Sequence, residues 1–248
     1  MMHEPIFEKE FFIPSYLVDQ ETFLTIPALF SLLQEVAWEH VEFHETGRDY
    51  LMQFNLFWAL IRMHVEISRL PKWKETIIIK TWGKEVDLLT HPRDYEIFDT
   101  HGNLLIAVTS HWVILDTTYF KPQILPELDS SLYTCKNLHA IEKKAPKIKK
   151  IDISSSSASQ FHPVLYSDID MNQHTNNAKY IQWFIDNIEI DDFRIEKIKN
   201  ITVNYLSQSK IGDFYGIIVQ NITEQHLVST IFSKDDDREF CRIEVNLQ

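Results

Sequence analysis

The sequence predicts an α+β protein made of two similar halves, each a principal helix followed by four antiparallel strands. Three observations carry this. An apolar helical stretch is followed by four β-rich segments with no helix between them, unlike the βαβα alternation of a parallel sheet. The helix-then-strands order returns after residue 160. A constant shift of 138 residues also places Val65 on Val203, Ile67 on Tyr205, Lys72 on Lys210, Glu75 on Asp213 and Ile79 on Ile217. Self-similarity at a fixed period indicates a duplicated domain.

Phe7 to Ile13 reads as a short entry strand stopped by Pro14. Thr25 can cap the first helix, and Pro27 is tolerated in its first turn. Leu29, Leu32, Leu33, Val36, Ala37, His40 and Val41 give that helix a wide apolar face, and Gly47 is its expected stop. Trp58–Leu70, Thr76–Val86, Arg93–Thr100 and Leu104–Leu115 are rich in β-branched and aromatic residues and read as strands. Residues 121–160, with Pro122, Pro126, a basic run from Lys143 to Lys150 and serines 154–157, read as a solvated linker. A sharper reading gives those lysines an acidic partner. The second half then offers a helix over about 176–188 and strands at Ile198–Leu206, Phe214–Ile222, Leu227–Phe232 and Phe240–Leu247. The expected organisation is a first domain over 1–120, the linker, and a second domain over 161–248.

A sheet wrapped around one apolar helix, paired edge to edge with a second such unit, removes exposed strand edges. This is the hotdog fold in tandem. Composition is consistent with it: 248 residues, 44% hydrophobic and 12% aromatic, can bury a full core. A net charge of −12 argues against broad nucleic-acid binding. No segment approaches the ~18 apolar residues of a membrane span. The start of the chain lacks the pattern of a signal peptide, so a cytoplasmic location is expected. Cys135 and Cys241 lack metal or redox spacing, and the histidines show no metal pattern, so free thiols and no metal are expected.

The densest chemistry is in Tyr166–Tyr180. Asp170, Asn172 and His174 alternate, so an extended backbone would send them from one face. Thr175, Asn176 and Asn177 then offer N-cap chemistry for a helix carrying Tyr180, Ile181, Phe184, Ile185 and Ile188 at helical spacing. A carboxylate, an amide and an imidazole thus converge on a helix N-terminus, whose free N–H groups can bind an oxyanion. The first half has Asp19-Gln20-Glu21-Thr22-Phe23-Leu24-Thr25 instead, so one active and one degenerate cleft are expected.

The D-x-N-x-H-x-N-N-x-x-Y run, followed by Trp183, resembles the signature of the acyl-acyl-carrier-protein thioesterases. So do Leu32–Ala37 with His40-Val41, Trp58–Met63, Leu70–Trp73, Lys80–Trp82, Arg93-Asp94 and Ser110–Val113, in the family's order. The likeness covers nearly the whole chain and is nearer to the non-plant members. It implies tandem hotdog domains and hydrolysis of the thioester between a fatty acyl chain and the carrier's phosphopantetheine arm. No cofactor is then needed, because phosphopantetheine arrives on the substrate. It implies Asp170, Asn172 and His174 as site residues, plus an acid on the following strand, where this chain has Gln208, with Ser209 in place of the plant members' cysteine. Trp58, Arg93, Trp112 and Tyr180 are candidate substrate contacts, and Asn176, Asn177 and Ser209 candidate oxyanion or catalytic groups.

On chemistry alone, His174 is the natural proton shuttle near neutral pH. Asp170 can orient it or act on the water itself, and Asn172 can hold the water or the carbonyl. Ser209 lacks a G-x-S-x-G elbow. Rival readings are an acyl-CoA hydrolase, a 3-hydroxyacyl dehydratase, or a module that binds carrier protein or lipid without turnover. The expected partner is acyl-carrier protein, with no nucleic acid and no stable membrane insertion, and the expected state is a monomer or homodimer.

Overall fold

The computed structural model describes residues 5–151, 160–188, 194–236 and 238–248; the serines at 154–157 lie outside the described residues. The first half contains β1 (Phe7–Phe12), α1 (Ile26–Phe43), a short α2 (Arg48–Met52), β2 (Leu56–Ile67), β3 (Thr76–Gly83), β4 (Thr90–Asp99), β5 (Leu104–Asp116) and β6 (Pro122–Gln123). The second contains β7 (Phe161–Pro163), α3 (Asn177–Asp186), β8 (Ile198–Tyr205), β9 (Phe214–Thr223), β10 (His226–Ser233) and β11 (Glu239–Leu247).

Among the described residues all strands form one antiparallel sheet of 11 strands in the order β1-β3-β4-β5-β2-β8-β11-β10-β9-β7, with β6 on β5. Read outward from the β2–β8 seam, the two halves have the same order. The seam pairs Arg62 with Asn204, His64 with Thr202 and Glu66 with Asn200. At its centre His64 Nδ1 lies 2.8 Å from Thr202 Oγ1, and these two positions are 138 residues apart, the spacing of the sequence repeat. β3 and β9 begin the same interval apart, and shorter loops after β9 then break the register.

The two longer helices, α1 and α3, pack together on one face of the sheet. Leu29, Leu33, Val36 and Ala37 of α1 join Ile181 and Phe184 of α3 and Met63, Val65, Ile201 and Val203 of the seam strands in one core. Alternation along the strands sends Arg62, His64 and Asn204 to the opposite face. Thr25 Oγ1 accepts from Ala28 N and Asn176 Oδ1 from Ala178 N, each cap stabilising its helix by about 1 kcal/mol. α1 ends at Phe43, not at Gly47; Glu45, with φ of 56°, turns the chain, and Gly47 precedes α2 instead.

Within the connector expected as a solvated linker over 121–160, residues 138–148 are instead held to the sheet, while 152–159 lie outside the described residues. Trp82 Nε1 donates to Leu138 O, Ala140 N to Asp94 Oδ2, Arg62 to Ala145 O, and Arg242 to Ile148 O. Asn204 accepts from Ile148 N and donates to Pro146 O. Residues 138–148 are therefore laid across the sheet face opposite the helices, where polar strand side chains satisfy their unpaired backbone. The two halves are fastened from behind as well as at the seam. Cys135 and Cys241 are both free thiols.

Candidate active site

The two halves carry one loop twice. In the second half, Ile169 and Thr175 form a bridge around a turn in which Asp170 N donates to His174 O and Gln173 has φ of 65°. Asp170 Oδ1 accepts from Asn172 N at 2.8 Å and His174 N at 3.4 Å. In the first half, Val18 and Leu24 form the bridge, Asp19 N donates to Phe23 O and Thr22 has φ of 68°. Asp19 Oδ1 accepts from Glu21 N at 3.0 Å and Phe23 N at 2.9 Å. A carboxylate that fastens its own downstream N–H groups is an Asx turn. The residues are thus in a turn, which corrects the expectation of an extended segment. Alternation nevertheless holds for exposure: Met171 and Gln173 face solvent, while Asp170, Asn172 and His174 are half-buried.

Those three side chains open into a cleft of about 450 Å³ at the start of α3, shared with Asn177, Tyr180, Gln208 and Ser209. Its other wall comes from the first half: Gln34 and Trp38 of α1, Phe57 to Ile61 of β2, Trp112 and Leu115 of β5, and Phe120. Lys210 and Arg238 also line it.

His174 is set between two aromatic rings from the first half. Phe57 stacks on it at 6.1 Å and Phe120 meets it edge-on at 5.6 Å. Burial lowers its pKa below the usual histidine value, with the Asp170 charge pulling back upward. The imidazole is therefore neutral at pH 7, ready to accept a proton. Sequence reasoning missed both rings as site residues. The one signal was a bulky apolar residue within a polar turn: Phe120 has φ of 54° and is 46% exposed, held by Asp116, whose carboxylate accepts from Thr118 N and Lys121 N. Such a backbone conformation is strained for a bulky residue.

The remaining candidates separate. Asn176 is committed as the helix cap, and its N–H donates to Asp168 O, so it is not the oxyanion group. Asn177 is the first helical residue, where the N–H lacks an intrahelical acceptor, and its side chain reaches Gln34. Ser209 is fully buried, with Oγ against Thr175 Oγ1 and the Tyr180 hydroxyl, and among the described hydrogen bonds it has none to His174. That geometry does not fit a nucleophile. Tyr180 lines the cleft, but its hydroxyl is occupied by Ser209 and its pKa is pushed up to about 12 by burial.

Arg93 does not reach the cleft. It is buried in the first half, donating to His40 Nδ1 at 2.9 Å and Thr81 Oγ1 at 3.1 Å, in a smaller cavity that Trp38, Trp58 and Trp112 separate from the cleft. Among the described residues no group of three or more His, Cys, Asp or Glu side chains is placed to hold a metal.

Two principal helices on one face of a continuous sheet, with a polar cleft at the second one's N-terminus, define a tandem hotdog protein. The N-terminal domain model of the acyl-ACP thioesterases matches residues 4–129 and the C-terminal domain model residues 150–247. The chain belongs to the acyl-ACP thioesterase family. Oleoyl-acyl carrier protein thioesterase 2 of Arabidopsis thaliana is 27% identical over 243 residues, covering 91% of this chain and 65% of the relative. The hydrolase FATB1 of Cuphea viscosissima is 28% identical, covering 79% and 49%. The chain thus spans about half to two thirds of the length of these chloroplastic relatives. The fold matches an acyl-ACP thioesterase from Bacteroides thetaiotaomicron (TM-score 0.87, 23% identity, 98% of both chains). It also matches the 12:0-ACP thioesterase of Umbellularia californica (TM-score 0.87, 21% identity, 100% and 99% covered). No helix among the described residues is long and apolar enough to cross a membrane.

Proposed function

We propose that this chain hydrolyses the thioester of fatty acyl-acyl-carrier protein, releasing a free fatty acid and the carrier's thiol. The observation that carries this is the position of His174: a neutral imidazole at the start of α3, in a cleft whose far wall is the apolar end of β2 and β5. The acyl chain lies along that wall, and the thioester carbonyl points at the helix N-terminus.

His174 takes a proton from water as the water oxygen bonds to the carbonyl carbon. The carbonyl electron pair moves to oxygen, and the oxyanion is met by the Asn177 N–H and the positive end of α3. Collapse breaks the C–S bond, and the imidazolium returns its proton to the departing sulfur. Asp170 holds the turn and favours the imidazolium that forms. Gln208 has no carboxylate to take a proton, so with Asn172 it orients the water by hydrogen bonds. Lys210 and Arg238 at the cleft offer positive charge to the phosphate of the phosphopantetheine arm.

The test is turnover of a panel of acyl-carrier proteins, acyl-CoAs and 3-hydroxyacyl thioesters, with fatty acid and thiol both measured. Acyl-carrier protein should be preferred, with equal release of the two products. His174→Ala should lose about a hundredfold or more. Preference for acyl-CoA, or dehydration without thiol release, would replace this reading with another chemistry of the same fold.

A further inference from the structure

The hydroxyls of Thr175, Tyr180 and Ser209 form a closed circuit. Thr175 N donates to Ser209 O at 3.0 Å, and Thr175 Oγ1 donates to the same oxygen at 3.2 Å. Ser209 N donates to the Tyr180 hydroxyl oxygen at 3.1 Å. The remaining contacts, 2.8 Å between Tyr180 and Ser209 Oγ and 2.7 Å between Ser209 Oγ and Thr175 Oγ1, then have one consistent direction. Tyrosine donates to serine, and serine to threonine. Each hydroxyl proton is used inside the circuit, and all three residues are buried.

The circuit joins the residue after His174 to the residue after Gln208, and ties both to the first turns of α3. The first half shows what the fold alone requires at these places. There the same loop is tied by backbone bonds alone, Leu24 N to Pro71 O and Trp73 N to Thr22 O. The positions matching Thr175, Tyr180 and Ser209 hold Leu24, Leu29 and Pro71, which have no side-chain hydrogen-bonding group. An apolar trio thus solves the same packing problem. A buried polar trio must satisfy every donor and acceptor or destabilise the loop, yet it occurs only in the half that carries His174 and Gln208.

We infer that Thr175, Tyr180 and Ser209 are positioning residues that set the separation of His174 from Gln208, and that Ser209 is no nucleophile. The inference rests on the hydrolase reading above. A misplacement of about 1 Å can cost a hundredfold in rate, so a rigid tie between the two loops has catalytic consequence without touching substrate.

The test compares Ser209→Ala, Tyr180→Phe, the double variant and Ser209→Cys with the wild type, all checked for folding. Either single variant should lower kcat about ten- to a hundredfold and leave KM within about threefold. The double variant should lose little more than either single one, because both break one circuit. Ser209→Cys keeps a weak donor and should recover part of the loss, with no acyl-enzyme trapped by hydroxylamine. The acid limb of the pH profile should stay in place, since the surroundings of His174 are unchanged. Tyr180→Phe with wild-type kcat would overturn the inference. So would a Ser209→Ala protein that is inactive while Tyr180→Phe is normal, which is the nucleophile's pattern. Crystal structures of the wild type and Tyr180→Phe read the His174–Gln208 separation independently of turnover, and a change under about 0.5 Å overturns the inference. A wild type that hydrolyses no thioester counts against the hydrolase reading alone.

Discussion

Asp170 has two jobs that one pair of substitutions can separate, and Asp19 supplies the control. Its Oδ1 fastens the turn through Asn172 N and His174 N, and its charge favours the protonated form of His174. Hydrogen bonds to a charged acceptor contribute about 1.5–3 kcal/mol, but the second here is long and the group is half-exposed, so the turn gains about 1–2 kcal/mol. Asp170→Ala should cost that amount, or about 2–4 °C in Tm per kcal/mol for a chain of this size. Asp170→Asn keeps an acceptor and should cost about half as much.

In activity the order is the same with a different cause. Asp170→Asn holds the turn but loses the charge facing the imidazolium, so kcat should fall about tenfold, and the acid limb of kcat/KM should move to lower pH. Asp170→Ala also loosens His174 and should fall a further tenfold or more. Asp19→Ala should reproduce the Tm loss with kcat unchanged, because its turn leads to Phe23. Thermal melts and pH-dependent hydrolysis of one acyl-carrier-protein substrate measure all of this. An Asp170→Asn protein as stable as the wild type but as inactive as Asp170→Ala would refute the reasoning, since the carboxylate would then be moving protons itself.

Phe120→Ala lets water reach His174, so its pKa should rise toward the ordinary 6.5 and the acid limb of kcat/KM should move up in pH. Reversing Lys143, Lys144, Lys147, Lys149 and Lys150 to Glu should leave the KM for acyl-carrier protein nearly unchanged, because the run lies on the sheet face opposite the helices. Lys210→Glu with Arg238→Glu, at the cleft, should raise it several-fold and weaken its salt dependence. Buried His40, His91 and His111 are held far below 6.5, at about 2, 4 and 4. The unfolded chain therefore takes up more protons below pH 6.5, and stability should fall by up to about 4 kcal/mol per pH unit down to about pH 4, read by denaturant titration.

The repeat and the strands were legible because period-2 apolar patterns and β-branched runs are local properties, and because the 138-residue shift is recorded in paired residues such as Val65 and Val203. The site motif was legible as a cluster of residue types, but its backbone was not. Alternation of Asp170, Asn172 and His174 suits a strand and an Asx turn equally, and only the bonds to Asp170 Oδ1 decide between them. The place of Arg93 in the smaller cavity and not in the cleft is not legible in the sequence, because the position of β4 behind Trp58 and Trp112 is a matter of tertiary packing. The connector was misread because its polar and proline-rich composition suits a solvated segment. Its partners, Arg62, Asn204 and Arg242, are each at least 56 residues distant from the backbone atoms they hold.

The paired loops also predict that a second active site cannot be restored by copying the motif. Replacing Glu21 by Asn and Phe23 by His would reproduce Asp-x-Asn-x-His on a turn already held by Asp19. The new imidazole would nevertheless lack its setting. The ring of Phe23 lies under the Lys72 ammonium at 4.5 Å, and that charge would oppose protonation of an imidazole there. Leu70 and Pro71 stand where the second half has Gln208 and Ser209, so neither the water-orienting amide nor the hydroxyl circuit is available. Lys72 is also bridged to Phe23 in the backbone, which closes the space that in the second half is open cleft beside Lys210. The Glu21→Asn, Phe23→His protein, with His174→Ala to silence the natural site, should hydrolyse no faster than His174→Ala alone. Recovery of even a tenth of wild-type turnover would mean that the imidazole and its turn suffice, and that the positions of Gln208, Ser209 and the two flanking rings have been given too much weight.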